Sequence, residues 1–195
     1  VQTCALPIFL LQRWFTHGLM PMQAAWYESN GAARDVLQFG AQPTPEPSAG
    51  QVRVKLYCSG VNPSDVKSRA ARPLGGPMVI PHSDGAGVID AVGEGVDTSR
   101  IGQRVWTWNG QWQRPWGTAA QFICLNAFQA VQMPDALSFH AGACLGIPGL
   151  TALRAVHLAG DVAGKTVLVT GASSAVGHYV TQMLKRRGDW KSTRL

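Results

Sequence analysis

Three short segments carry side chains whose types and spacing could do chemistry. They are Cys58-Ser-Gly-Val-Asn-Pro-Ser-Asp-Val-Lys67, Ile80-Pro-His-Ser-Asp-Gly-Ala-Gly-Val-Ile89 and Lys165-Thr-Val-Leu-Val-Thr-Gly-Ala-Ser-Ser-Ala-Val-Gly177. The third reads as strand, turn and helix. Val167, Leu168 and Val169 form a short apolar run, Gly171 opens a tight turn, and Ala175, Val176, Tyr179, Val180, Met183 and Leu184 recur at helical spacing. A helix start of this kind turns free backbone N–H groups and the positive end of its dipole toward an anion. The turn Gly171-Ala172-Ser173-Ser174-Ala175-Val176-Gly177 is therefore the candidate phosphate cradle of a dinucleotide-binding unit. In the first segment, Asn62-Pro63-Ser64-Asp65 reads by itself as a turn that caps a helix, with Asn or Ser as the cap.

The elements that must hold these segments change character along the chain. Residues 22 to about 133 read as β-rich. Val52, Val54, Leu56 and Cys58 alternate with Gln51, Arg53, Lys55 and Tyr57, as in a strand with one wet face. Shorter apolar runs follow at Gly87–Val92, Arg104–Trp108 and Ala119–Leu125, punctuated by Gly and Asn. Many short strands with glycine turns predict a compact barrel or sandwich. Pro43, Pro45 and Pro47 fall in a rigid, extended connection. From Ser138 the pattern turns helical, with helices expected over Ala141–Leu145 and Thr151–Leu158 and a break at Pro148-Gly149.

Composition bounds the rest. Residues 1–21 and 189–195 read as artefact or upstream sequence, with Met22 the expected start. The formal net charge of +6 falls to about +4 without those flanks. The basic run Lys185-Arg186-Arg187 closes the last helix, where cations complement the dipole, so no nucleic-acid partner is expected. The apolar run Ala5–Leu11 is too short to span a bilayer, and no membrane partner is expected. Cys58, Cys124 and Cys144 are widely spaced and form no CxxC pair, which argues against a disulfide framework or structural zinc and for a reducing compartment. Cys144, in an apolar segment, is expected to be buried.

Read together with Val92-Gly-Glu-Gly-Val96, Ile101-Gly-Gln-Arg-Val105 and Gly146-Ile-Pro-Gly-Leu-Thr-Ala152, the three segments resemble the medium-chain dehydrogenase/reductase superfamily. The resemblance is to its zinc-free, quinone-oxidoreductase-like (zeta-crystallin-like) branch and runs from Met22 to about Gly188. It implies an α/β chain with a β-rich part. A GroES-like β-barrel catalytic domain over 22–150 would precede an incomplete Rossmann domain, a doubly wound parallel sheet beginning at 151–188. Zinc-dependent relatives place Cys where this chain has Asn62, and His-Glu where it has Ser83 and Asp84. Asn and Ser are poor zinc ligands beside thiolate and imidazole, so no zinc is expected. The implied chemistry is hydride delivery from NADPH, with NADH left open, to a quinone or α,β-unsaturated carbonyl. Asn62 would lie beside the nicotinamide and the reacting carbonyl, Asp65 would order that loop, and Thr151 would contact the nicotinamide end. The resemblance also implies a cytoplasmic protein and a homodimeric parent. The chain as given is expected to be an inactive fragment whose lone Rossmann strand has no partner and whose last helix exposes its apolar stripe.

Two departures qualify the resemblance. Many relatives have an aromatic residue where this chain has Lys67, so no stacking or proton-donating role carries over to that position. Relatives also have glycine where the turn has Ser174, whose side chain would be strained in left-handed geometry or could instead donate to phosphate. The run Trp106-Thr-Trp-Asn-Gly-Gln-Trp-Gln-Arg-Pro-Trp116 has two readings. Trp106 and Trp108 wall a pocket for a flat acceptor, or the indoles pack the β-domain. Three alternatives stay open: a non-catalytic nucleotide-binding protein, an enoyl-thioester reductase, and a short-chain dehydrogenase, whose fingerprint the 170–177 turn also resembles. The last lacks its Tyr-x-x-x-Lys pair here, since Met183 stands four residues after Tyr179.

Overall fold

The computed structural model describes residues 20–188 and the backbone of 191–194. The expected flanks therefore lie largely outside the described residues. The β-rich part begins with β1 (Met22–Trp26) and β2 (Gln38–Gln42), an antiparallel pair with the single-turn helix α1 (Ala33–Val36) between them. Next come β3 (Gln51–Gly60), helix α2 (Pro63–Ala71), β4 (Asp84–Val92), β5 (Arg104–Thr107), β6 (Phe122–Asn126) and β7 (Ala130–Gln132). Strands β3 to β7 form one antiparallel sheet in the order β6-β3-β4-β5-β7.

That order forces curvature. β6 and β7 are opposite edges of a five-stranded sheet, yet only Ala127–Gln129 separate them. Edges of a flat sheet this wide would stand about 19 Å apart, whereas four residue steps reach about 14 Å at most. The sheet must curl until its edges approach, as the GroES-like barrel expectation requires. The period-two pattern fills the inside: Val52 and Val54 of β3 are buried with Ile89, Val105, Ile123 and Leu125 in one core cluster. Isolated bridges at Ala24–Ala120 and Tyr27–Val79 fasten β1 and the segment after it to this body. Arg53 holds the proline-rich connection, donating to the Pro45 carbonyl at 3.2 Å and to Glu46 at 2.7 Å.

The helical part follows as α3 (Phe139–Gly142) and α4 (Gly146–Leu158). No break occurs at Pro148-Gly149. Pro148 falls in the first turn of α4, where its missing N–H would have had no partner within the helix. The expected domain division at 150/151 thus lies inside one continuous helix. Strand β8 (Thr166–Val169), helix α5 (Ala175–Arg186) and β9 (Lys191–Arg194) then form a β-α-β unit, with β8 and β9 parallel. Two expectations are corrected here. β8 has a ladder partner, and the α5 stripe is covered: Leu184 packs with Val156 of α4 and with Val162, Val169 and Ala172. A thirteen-residue α4 lies directly alongside the last helix and supplies the apolar face that the α5 stripe needs. The whole is a GroES-like body followed by a partial Rossmann-like unit.

Candidate active site

The site is built where α2, the start of β4 and the first turn of α4 meet. Asn62 is the N-cap of α2 in extended backbone, and Pro63 supplies the first helical position with its φ already fixed. The Asn62 N–H donates to Asp65 Oδ2 at 2.7 Å, the third-position carboxylate closing back on the helix start. The capping reading of Asn62-Pro63-Ser64-Asp65 is therefore what the backbone does. It also leaves the Asn62 side chain free to reach across, and its Nδ2 donates to Asp84 Oδ2 at 2.9 Å. Burial pushes the Asp65 carboxyl up, opposed by its bond to Asn62 and by the neighbouring His82.

Asp84 is the hub. It is only 1% exposed, and its Oδ2 also accepts the Ile147 backbone N–H at 2.8 Å. One carboxylate oxygen thus ties the start of α2 to the first turn of α4. Oδ1 is buried without any hydrogen-bond partner among the described residues, a costly state for a charged group. α4 can come this close because residue 146 is glycine: a Cβ there would sit 2.0 Å from Asp84 Oδ1. The Asp84 backbone carbonyl accepts from Thr118 Oγ1 at 2.6 Å, and Ser59 Oγ links Thr118 Oγ1 to His82 Nδ1, each contact 2.9 Å. His82 holds a left-handed φ of 77°, a conformation uncommon outside glycine that His, like Asn and Asp, adopts more readily than most residues. Burial lowers its affinity for a proton, while Asp65 opposes that shift.

Burial also raises the Asp84 carboxyl from 3.8 to about 6, against the pull of its bonds to Ile147 and Asn62. Its folded-state value therefore lies above its unfolded one. Below pH 3.8 both states hold the proton and no penalty arises; between 3.8 and about 6 the unfolded chain releases it first. Stability should accordingly fall as pH rises through this window, by up to about 3 kcal/mol for a shift of two units. Comparing urea denaturation of the chain and its Asp84→Asn variant from pH 4 to 7 isolates this contribution. The variant should lack that decline, and parallel curves would contradict the assignment.

The glycine turn borders a second hollow, which the C-terminal half of α4 also lines. Gly171 takes φ 63°, and Gly177 lets α5 press against the turn, since a Cβ there would meet the Gly171 carbonyl oxygen at 2.2 Å. Ser174 is the N-cap of α5 in extended backbone (φ −73°, ψ 163°), with Oγ accepting from Gly177 N at 3.1 Å. The left-handed strain considered for Ser174 does not arise. Its hydroxyl proton remains available to an acceptor, as do the N–H groups of Ala175 and Val176 at the helix start. Ser173, Ser174 and Ala175 are exposed, Val176 is half-buried, and Ala172 is buried in the core below. Thr151, exposed on α4, donates to the Ile147 carbonyl at 2.6 Å.

Two separate hollows lie along α4. One, of about 410 Å³, is lined by Asp65 and Lys67 of α2, Ser83, Asn109, Trp112 and Ile147. The other, of about 290 Å³, is lined by Ala155 and Val156 of α4 with Thr170, Ser174, Val176 and Gly177. The structure brings Asn62, Asp65 and the start of α4 together; the glycine turn lines a different hollow. Trp106 and Trp108 do not wall either one. Trp106 packs against the cluster of Ala86, Met133 and Ala143, and Trp108 stands against Phe128 with ring centroids 5.9 Å apart. The indole that does face the first of these hollows is Trp112, in the loop beyond β5. Cys144 is exposed at the α3–α4 junction rather than buried, and its carbonyl accepts from Tyr179 Oη at 3.1 Å.

Comparison with known proteins agrees with this architecture. Residues 48–135 match the alcohol dehydrogenase GroES-like domain. Quinone oxidoreductase of Rattus norvegicus is 37% identical over 147 residues, covering 74% of this chain and 44% of that protein. A cobalt- and zinc-bound thermostable alcohol dehydrogenase from Pyrobaculum aerophilum superposes with TM-score 0.78 at 28% identity, over 90% of this chain and 58% of its own. A mycobacterial protein complexed with NADPH does so with TM-score 0.74 at 26% identity, over 89% and 52%. The chain belongs to the medium-chain dehydrogenase/reductase superfamily. It spans about half the length of the curated relatives it matches.

Asp84 Oδ2 accepts both from Asn62 Nδ2 and from the Ile147 N–H. Among the described residues no group of three His, Cys, Asp or Glu side chains could hold a metal ion. Asp84 itself escaped the sequence reading as a site residue. Its signal was faint: one acid opening a glycine-rich apolar strand, with partners 22 and 63 residues away.

Proposed function

We propose that this chain carries the acceptor side, and the start of the dinucleotide side, of a zinc-independent oxidoreductase that passes hydride from NADPH to a quinone or α,β-unsaturated carbonyl. The observation that carries this reading is the buried Asn62–Asp84 hydrogen bond, with Asn62 and Ser83 at the positions where the resemblance puts the thiolate and the imidazole of metal-dependent relatives, and Asp84 at that of their glutamate. A carboxamide and an engaged carboxylate suit hydrogen bonding to an acceptor far better than coordination. The NADPH preference draws on the resemblance and on the mycobacterial complex.

The residues present fit such a cofactor at both ends. Ser174 and the α5 start offer a hydroxyl and free N–H groups to phosphate. When bound, a reduced nicotinamide supplies the hydride. Asn62 keeps a second Nδ2 hydrogen, which would polarise the acceptor carbonyl or hold the carboxamide of the cofactor. Asp84 fixes its rotamer, and Asp65 fixes the backbone from which it projects. In an enone, hydride adds at the β-carbon, the double-bond electrons move to oxygen, and water returns a proton. The charge spreads through conjugation, so no Lewis acid is needed. A cytoplasmic homodimer is the assembly the resemblance implies, and the unpaired cysteines among the described residues suit a reducing compartment.

The full-length protein bearing this chain should oxidise NADPH faster than NADH with naphthoquinones or enones. Crotonyl-thioester reduction with no quinone activity would move the assignment to an enoyl reductase. Alcohol oxidation that requires stoichiometric zinc would overturn the proposal.

A further inference from the structure

The acceptor-side hollow has a feature that hydride transfer alone does not require. One wall is the exposed face of α2, which brings Lys67, Ser68 and Arg72 to the same hollow; Asn109, Gln111 and Trp112 face it from the loop after β5. Among the described residues, neither Lys67 nor Arg72 is paired with a carboxylate. The one carboxylate in the lining, Asp65, is engaged with the Asn62 N–H. The hollow therefore offers two uncommitted cations, hydroxyl and amide hydrogen bonds, and one flat indole that is 60% exposed.

We propose that this hollow selects flat acceptors bearing an anionic group, with Lys67 and Arg72 as specificity-determining residues and Trp112 as the stacking surface. The inference rests on the functional reading above and goes beyond it by naming the acceptor class. A conjugated ring would lie on the Trp112 indole while its carboxylate or sulfonate meets the two cations. The cations are exposed, so each is worth a modest factor that salt weakens. Together they should give a preference of about tenfold at low ionic strength.

Isothermal titration of the full chain with anthraquinone-2-carboxylate and with neutral 2-(hydroxymethyl)anthraquinone tests this directly. The carboxylate should bind about tenfold tighter at low salt, with the margin shrinking in 0.5 M salt. The Lys67→Gln/Arg72→Gln protein should bind the two alike. Arg34→Gln/Lys55→Gln, an equal loss of two charges at exposed residues outside the hollow, should keep the preference. Equal binding of both probes to the unsubstituted chain, or a preference that survives the double substitution, would overturn the inference while leaving the hollow as an acceptor site. Failure of both probes to bind would sink the inference and the acceptor reading together. If the double substitution weakened NADPH binding and left the probe preference unchanged, the cations would belong to the dinucleotide and the inference would fail.

Discussion

Gly146→Ala is expected to lower the stability of the chain by about 1–3 kcal/mol, the usual cost of forcing extra volume into a packed site. The added Cβ would fall 2.0 Å from Asp84 Oδ1 and 2.5 Å from Cγ. Neither side can yield easily. Asp84 is held by Asn62 and Ile147, and residue 146 is fixed in the first turn of α4. The first turn must therefore lift, breaking the bond from Ile147 N and loosening the tie between α2 and α4. Chemical denaturation measures the loss. The double variant with Asp84→Ala supplies the control, because it removes the clashing atoms. The two substitutions should then be strongly non-additive, with a coupling energy of about 1 kcal/mol or more. Additive losses would mean that Gly146 is needed for some reason other than the carboxylate.

Gly177→Ala should cost at least as much, because here backbone meets backbone. A Cβ would stand 2.2 Å from the Gly171 carbonyl oxygen and 2.8 Å from the Ala172 Cα. No rotamer change relieves that contact, so α5 must move away from the turn. The shift would strip cover from Ala172 and Leu184 and displace the Ser174 cap from Gly177 N. A loss of about 2–3 kcal/mol is expected, with slowed amide exchange on α5 giving way to rapid exchange at its N-terminal half. An unchanged denaturation midpoint would show that the turn and helix are not packed as described.

Much of this arrangement was legible because local patterns report local geometry. The alternation at Val52 and Val54 gave β3 and its inward face, since period two admits one burial solution once a core exists. The α5 helix was equally plain, although its most buried line is Gly177, Thr181 and Leu184 rather than the apolar stripe alone. Pro63 marked the start of α2. Other features depend on pairings that no window of sequence contains. The curl of the sheet follows from β6 and β7 being opposite edges, which is a fact of strand order. Proline at position 148 looked like a breaker, and only its place in the first turn makes it harmless. The tryptophan run left two readings open for a related reason. Trp106 lies on a strand and packs toward Met133, while Trp112 lies in the loop that closes over α2. Asp84 was noted only as the position that zinc-dependent relatives fill with Glu, because the role of a buried acid with an orphaned oxygen stays hidden until its distant partners are known.

The most direct measurement follows the hydride itself. The metal-depleted full-length protein bearing this chain would be supplied with NADPH in which both C4 hydrogens of the reduced ring are deuterium, together with a cyclic enone, and the product read by mass spectrometry and NMR. One deuterium at the β-carbon, with turnover undiminished by zinc removal, is the expected result. Unlabelled product, or label transfer that returns only when zinc is restored, would contradict a metal-free site organised by Asn62 and Asp84.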